Sequence, residues 1–267
     1  MSIYALTHIL IYPIKSLGGI SLNSAEIEER GLKYDRRWML VNESNTFITQ
    51  RNYPQLSLLV PAIENESLTI SHKQNKLPSI SVPLVPYNRE DVNVQIWDDN
   101  VHALKYTGEI NEWLSMVTGI KTKLVFMPDE TKRVVDPDYT KNKIVSFADA
   151  YPFMMLGEKS LSELNSRLVK ALPINRFRPN FVFSGGESFD EDSWKNVRIG
   201  DNVFNSVKSC ARCTVTTVNQ DTGLKGKEPL TTLSSFREKN GKVYFGINLT
   251  VENTGIVKVR DKLIPAR

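Results

Sequence analysis

Apolar residues along this chain fall into short runs separated by turn-forming residues, with few long helical stripes. Residues 9–12, 38–41, 56–60, 79–82, 92–97 and 123–126 mix aliphatic, aromatic and β-branched side chains, and each run predicts a strand. Gly18-Gly19, Asn42, Pro61 and Asp98-Asp99-Asn100 close successive runs with turn chemistry. Strands this short and frequent predict barrels or sandwiches, not a parallel α/β sheet. Three segments break the pattern. Ile110, Trp113, Leu114 and Val117 recur at helical spacing, with Gly119 placed to stop the helix. Leu161, Leu164 and Leu168 form a second stripe, and a third helix opens at Pro229 and carries Leu230, Leu233 and Phe236. All three stripes are expected to pack onto the core. The expected fold class is mainly β with a few helices, β-barrel-rich. A boundary at the first helix divides it into residues 1–118 and 119–267.

Composition narrows the class. The chain has 267 residues, 40% hydrophobic and 24% charged, which excludes disorder, collagen and coiled coil. Its net charge of +4 is too small to indicate a nucleic-acid partner by itself. Two cysteines make no disulfide framework. The start, Met-Ser-Ile-Tyr-Ala-Leu-Thr-His, lacks the charged beginning and apolar core of a signal peptide, and no run approaches ~18 apolar residues. A cytoplasmic setting without a membrane span is expected.

Both cysteines stand in Ser209-Cys210-Ala211-Arg212-Cys213-Thr214-Val215-Thr216-Thr217-Val218. A zinc site needs four ligands, and no second cysteine pair or nearby histidine supplies them. A thioredoxin-like pair opens a helix, whereas the β-branched run after Cys213 predicts a strand. A thiolate ligand to a softer metal is the third reading, with Arg212 placed to lower a neighbouring thiol pKa. Arg176 and Arg178 precede a strand-like run, where i and i+2 share a side, so their guanidiniums are expected to converge on one anion. Lys15-Ser16, Asp35-Arg36-Arg37-Trp38 and Thr49-Gln50-Arg51 each put a cation at a strand end or turn. Asp149 stands alone between small and aromatic residues, the acidic stretch 189–194 reads as a solvated turn, and 219–223 reads as a turn. Hydrolase motifs are absent.

In order along the chain, Tyr-Pro-Ile-Lys-Ser at 12–16, Asp-Arg-Arg-Trp at 35–38, Ile-Thr-Gln-Arg at 48–51, Ser-Phe-Ala-Asp-Ala-Tyr-Pro at 146–152, Phe-Arg-Pro-Asn at 177–180, Glu-Asp-Ser-Trp at 191–194, the cysteine segment at 209–218, Asp-Thr-Gly at 221–223 and Glu-Pro-Leu at 228–230 resemble the MOSC family. The nearest likeness is to the branch of the amidoxime-reducing components. The resemblance implies an N-terminal β-barrel domain over 1–118 and a MOSC molybdenum-cofactor domain over 119–267. It implies molybdenum bound by one pyranopterin (molybdopterin) and by Cys213, with Cys210 a nearby thiol. Lys15, Ser16, Arg36, Arg178, Asn180, Ala211 and Arg212 are then expected around the pterin and its phosphate. Ala211 stands where relatives often carry Ser. Asp149 falls at a site position as a proton relay or hydrogen-bond partner. The implied activity is reduction of N-hydroxylated compounds (hydroxylamines, amidoximes, N-hydroxylated bases) by oxygen-atom removal. Two cysteines cannot hold a four-cysteine iron–sulfur cluster, so a separate flavin or iron–sulfur donor is the expected partner. A cofactor carrier or sulfur-transfer module is the alternative, and a nucleic-acid-binding barrel a third.

Overall fold

Tyr4, Leu6, Ile9 and Ile11 are buried while Thr7 and His8 are not, so the apolar spacing slips by one residue inside a single strand. A β-bulge between Leu6 and His8 absorbs the slip and keeps the four apolar side chains on one face. This strand, β1 (Tyr4–Ile11), opens a computed structural model that describes residues 3–64, 66–74 and 76–267.

Next come β2 (Trp38–Val41), β3 (Leu59–Glu64), β4 (Ser67–His72), β5 (Ile80–Pro83), β6 (Glu90–Ile96), β7 (Asp99–Lys105), α1 (Glu109–Thr118) and β8 (Lys123–Phe126). Strands β2, β8, β7 and β6 form one antiparallel sheet, and β3, β4 and β5 form another. Trp38, Leu40, Leu59, Leu68, Ile70 and Leu124 fill a shared core between them, and α1 adds Leu114. Gly119 ends α1 in the left-handed region at φ 71°. The run at 56–60 is not all strand: Pro54–Leu58 is a 3-10 turn, held in part by Ser57 Oγ donating to Pro54 O at 2.8 Å.

The second half supplies β9 (Phe153–Gly157), α2 (Glu158–Ser166), β10 (Phe181–Ser184), β11 (Asn196–Ile199), β12 (Asn202–Ala211), α3 (Leu230–Arg237), β13 (Lys242–Val251) and β14 (Lys262–Ala266). Strands β9, β10, β1, β14, β11, β12 and β13 pair in that order, and β13 pairs back onto β9 to close a barrel of seven. An odd ring cannot alternate direction throughout, so at least one pair must be parallel. That pair is β9 with β10, and α2 lies in the crossover that a parallel pair requires. The first strand of the chain therefore sits in a barrel otherwise built from residues beyond 152.

Phe153 and Phe181 stack in the barrel at 5.7 Å between centroids, and Phe204 meets each edge-on at 5.2 Å. Phe204 is fully buried. Phe204→Ala is expected to lower unfolding free energy by about 3–5 kcal/mol in denaturant titration. A loss below about 1 kcal/mol would mean that the barrel closes over the space.

The acidic stretch 189–194 differs from the solvated turn expected of it. Glu191 is fully buried, accepting from Gly157 N at 3.2 Å and Ser160 Oγ at 2.9 Å at the start of α2. Burial raises its pKa. Among the described residues, no helix is long and apolar enough to cross a membrane.

Candidate functional site

Strand alternation sends Phe153 and Met155 into the barrel core and Met154 to its outer face. Asn248 is the register partner of both Met154 and Lys208, so these three residues form a row across β9, β13 and β12. The row forms one wall of a cavity of about 250 Å³. Turns and loops from both halves of the chain form the rest.

All nine residues implied for the site line this cavity: Lys15, Ser16, Arg36 and Asp149, then Arg178, Asn180, Ala211, Arg212 and Cys213. Three of them hold left-handed backbone without being glycine: Ser16 (φ 69°), Arg36 (φ 51°) and Arg178 (φ 55°). Such conformations persist only where surrounding structure imposes them, and they concentrate at functional sites. For Ser16 the constraint is visible: fully buried Gln50 donates to its carbonyl at 2.6 Å, and Gln220 from the 219–223 turn donates to Gln50 Oε1 at 3.0 Å.

Tyr12 lies between two guanidiniums, Arg36 at 4.4 Å and Arg178 at 4.1 Å from its ring centroid. Asp35 accepts from Arg36 at 2.5 Å and from Tyr12 N at 2.7 Å. Arg178 donates to Leu17 O at 2.6 Å. Burial and the repulsion of Arg36 pull Arg178 down to about 10, which still leaves it charged at neutral pH. Burial pushes the Tyr12 phenol up to about 12, so that ring is neutral. Asn180 is committed to the scaffold, since its amide accepts from Met154 N at 3.2 Å and donates to Leu10 O at 3.2 Å.

Asp149 joins the two halves of the site. Buried Arg133, paired with Asp99, donates to the carbonyls of Ser146, Ala148 and Asp149 and fixes that loop. The Asp149 carboxylate then accepts from Lys15 Nζ at 2.5 Å and from Arg51 Nη2 at 3.1 Å. The same Arg51 nitrogen donates to Cys213 Sγ at 3.3 Å, and the guanidinium lies 4.5 Å from the Trp97 ring centroid. Desolvation would raise the Asp149 pKa, but Lys15 and Arg51 outweigh it and hold the carboxyl far below its usual range. Desolvation dominates at Lys15, pulling it down to about 8 although Asp149 opposes the shift.

Both cysteines are free and half-buried. Arg212 donates to Cys210 Sγ at 2.9 Å and to Phe177 O at 2.6 Å. The cavity carries six cationic side chains against the single carboxylate of Asp149 in its lining.

Two local expectations fail here. Residues 214–217 form a 3-10 turn in place of a strand, because Thr216 Oγ1 bonds to Cys213 O at 2.9 Å and Thr217 Oγ1 to Thr214 O at 2.7 Å. Arg176 and Arg178 do not converge either. Arg176 ends a 3-10 turn, donates to Thr216 O at 2.8 Å and Glu228 O at 3.1 Å, and does not line the cavity. Sequence reasoning also left Arg51 and Lys208 out of the site. Arg51 belongs to the Ile-Thr-Gln-Arg motif at 48–51, a signal that was available. Lys208 carries no such signal.

Residues 3–121 match the family described as the MOSC N-terminal beta barrel domain, and residues 142–264 match the MOSC domain. Mitochondrial amidoxime-reducing component 1 of Mus musculus is 35% identical over 274 residues, covering 94% of this chain and 79% of that protein. Molybdenum cofactor sulfurase of Oryza sativa subsp. japonica is 34% identical over 271 residues, covering 93% of this chain and 32% of that longer protein. Among solved structures, the YuaD protein from Bacillus subtilis is 13% identical, covering 98% of this chain and 94% of that one, with a TM-score of 0.44.

Proposed function

This chain belongs to the MOSC family, and on that premise we propose that it is a molybdenum-cofactor-dependent oxidoreductase acting on N-hydroxylated compounds. The observation that carries the reading is the cavity itself: six cations and one carboxylate surround a free thiol at Cys213. Such a lining suits an anionic ligand that brings a soft metal to sulfur.

The residues fit that group. Arg212 Nε is buried without a hydrogen-bond partner, a donor whose desolvation an acceptor from a bound ligand would offset. Among the described residues, no group of three or more His, Cys, Asp or Glu could hold an ion. A metal here therefore needs most of its ligands from an organic carrier, as a pyranopterin dithiolene provides. Cys213 Sγ would be the protein ligand, Arg36, Arg178 and Arg212 would hold the phosphate, and Lys15 would lie beside the pterin. Ser16 would add its hydroxyl. Ala211 has only backbone groups to offer, and Asn180 would keep the Arg178 segment in register with β1 and β9. When bound, the cofactor supplies the two-electron chemistry that removes oxygen from N–OH.

In that reaction an amidoxime, R–C(NH2)=NOH, takes up two electrons and two protons and leaves as the amidine and water. Lys15 Nζ, near pKa 8 and hydrogen-bonded to Asp149, holds a proton beside the reacting region. Asp149 stays ionised and serves as the acceptor that orients Lys15 and Arg51. Electrons arrive from a separate flavin or iron–sulfur donor. A reducing setting such as the cytoplasm suits both free thiols.

The likeness to a cofactor sulfurase favours a second reading, in which Cys213 receives or delivers sulfur or the chain carries the cofactor. Turnover separates the two. Protein made in a cofactor-competent host is expected to contain near-stoichiometric molybdenum and pterin and to reduce benzamidoxime with a reduced viologen dye. Bound cofactor without turnover would move the assignment to the carrier, and folded protein free of molybdenum would end the reductase reading.

A further inference from the structure

Lys208 differs from the other cations of the cavity. Lys15, Arg36 and Arg51 each meet a carboxylate, and Arg178 and Arg212 each donate to a backbone carbonyl. The Lys208 ammonium lies 3.7 Å from the ring centroid of Tyr139 and 5.7 Å from that of Tyr151. No carboxylate of the described residues pairs with it. The two rings meet edge-on, 6.5 Å apart at 88°, with Tyr151 buried and Tyr139 half-exposed. Lys208 itself is exposed at the wall of the cavity, beside Asn248 in the strand register.

The surroundings also separate Lys208 from the phosphate-facing group. Arg36 and Arg178 pack on Tyr12, whose hydroxyl donates to Pro179 O, whereas Tyr151 and the neighbouring Val207 belong to a small cluster with Val135, Val145 and Ala148. One ammonium at the cavity wall, resting on aromatic faces and paired with no carboxylate of the described residues, matches a singly charged carboxylate. Desolvation acts against the charge of Lys208, but the tyrosine contacts outweigh it, and the ammonium stays charged at neutral pH.

We propose that Lys208, with Tyr139 and Tyr151, is a subsite for a carboxylate on the substrate, so that this protein prefers N-hydroxylated compounds that are anionic at the end away from the N–OH group. The inference rests on the reductase reading of the same cavity.

The test compares benzamidoxime with 4-carboxybenzamidoxime, which share one reacting group, on cofactor-loaded wild type, Lys208→Met and Lys208→Arg. The ratio of kcat/KM, carboxylate substrate over neutral, is expected to fall about 10- to 100-fold in Lys208→Met, mainly through KM. Lys208→Arg is expected to keep most of the preference, and molybdenum and pterin content is expected to match wild type in both variants. An unchanged ratio overturns the subsite. So does loss of cofactor from Lys208→Met, which would make Lys208 a cofactor residue. If the wild type reduces neither compound, the reductase reading falls separately, and calorimetric binding of the same pair decides the subsite: preference for the carboxylate, lost in Lys208→Met, upholds it, and equal binding overturns it.

Discussion

Cys213→Ala protein, made in a cofactor-competent host, is expected to fold like wild type and to hold about one-tenth or less of its molybdenum, with amidoxime reduction lost in proportion. The expectation follows from where the two thiols point. Arg51 reaches Cys213 Sγ and also binds Asp149, so Cys213 opens onto the carboxylate and Lys15. The Cys210 thiol is engaged by Arg212 and packs beside the apolar cluster of Met154, Phe177 and Phe245. Removing the Cys213 sulfur takes away the one soft donor on the ionised side of the cavity while leaving the barrel core untouched. Elemental analysis of both alanine variants, with circular dichroism to confirm folding, checks this. Metal kept in Cys213→Ala and lost in Cys210→Ala would assign the ligand to the other thiol.

Asp149→Asn is expected to lower kcat about 100-fold and to change the pH profile in a defined direction. Lys15 is already pulled down to about 8 by desolvation, and the Asp149 charge is what limits the fall. With that charge gone, Lys15 loses its proton at lower pH. Wild-type activity should therefore decline as pH rises through about 8, and the decline in the variant should begin at lower pH. An alkaline limb that stays in place would remove Lys15 from the proton inventory. The same substitution should appear in stability. Asp149 has a folded pKa below its unfolded value near 3.8, so its contribution is complete above that value and is lost as pH falls through and below it. Wild type should thus lose stability more steeply than Asp149→Asn below about pH 4. Lys15 also donates to Phe147 O at 2.9 Å, which keeps it anchored in the variant.

The candidate cavity was legible where a motif carried it. Lys15 and Ser16, Arg36, Arg178 and the cysteine segment were all named from ordered short motifs, and they do share one cavity. Failures came where local pattern and long-range contact disagree. Arg176 and Arg178 look alike as strand neighbours, yet the turn at Ile174–Arg176 sends one to Thr216 O and the other to the cavity. The β-branched run after Cys213 favours a strand by propensity, but threonine hydroxyls bonding to carbonyls three residues back make a turn. Glu191 looks solvated in an acidic stretch and is instead the buried acceptor at the start of α2. Lys208 belongs to no motif, and only the β12–β13 register puts it beside Asn248.

By itself the sequence determined the local elements: strands at 38–41 and 123–126, a helix stopped by Gly119, and the residue types that chemistry at Cys213 would need. These depend on side-chain shape and neighbours a few positions away, which a linear pattern records. Tertiary structure alone decided that β1 closes a barrel built mostly from the far half of the chain, and that Asp149 meets Lys15 and Arg51 across 134 and 98 residues. Those contacts follow from ring closure and strand register, which pair residues by their place in the sheet and leave no periodic trace along the chain.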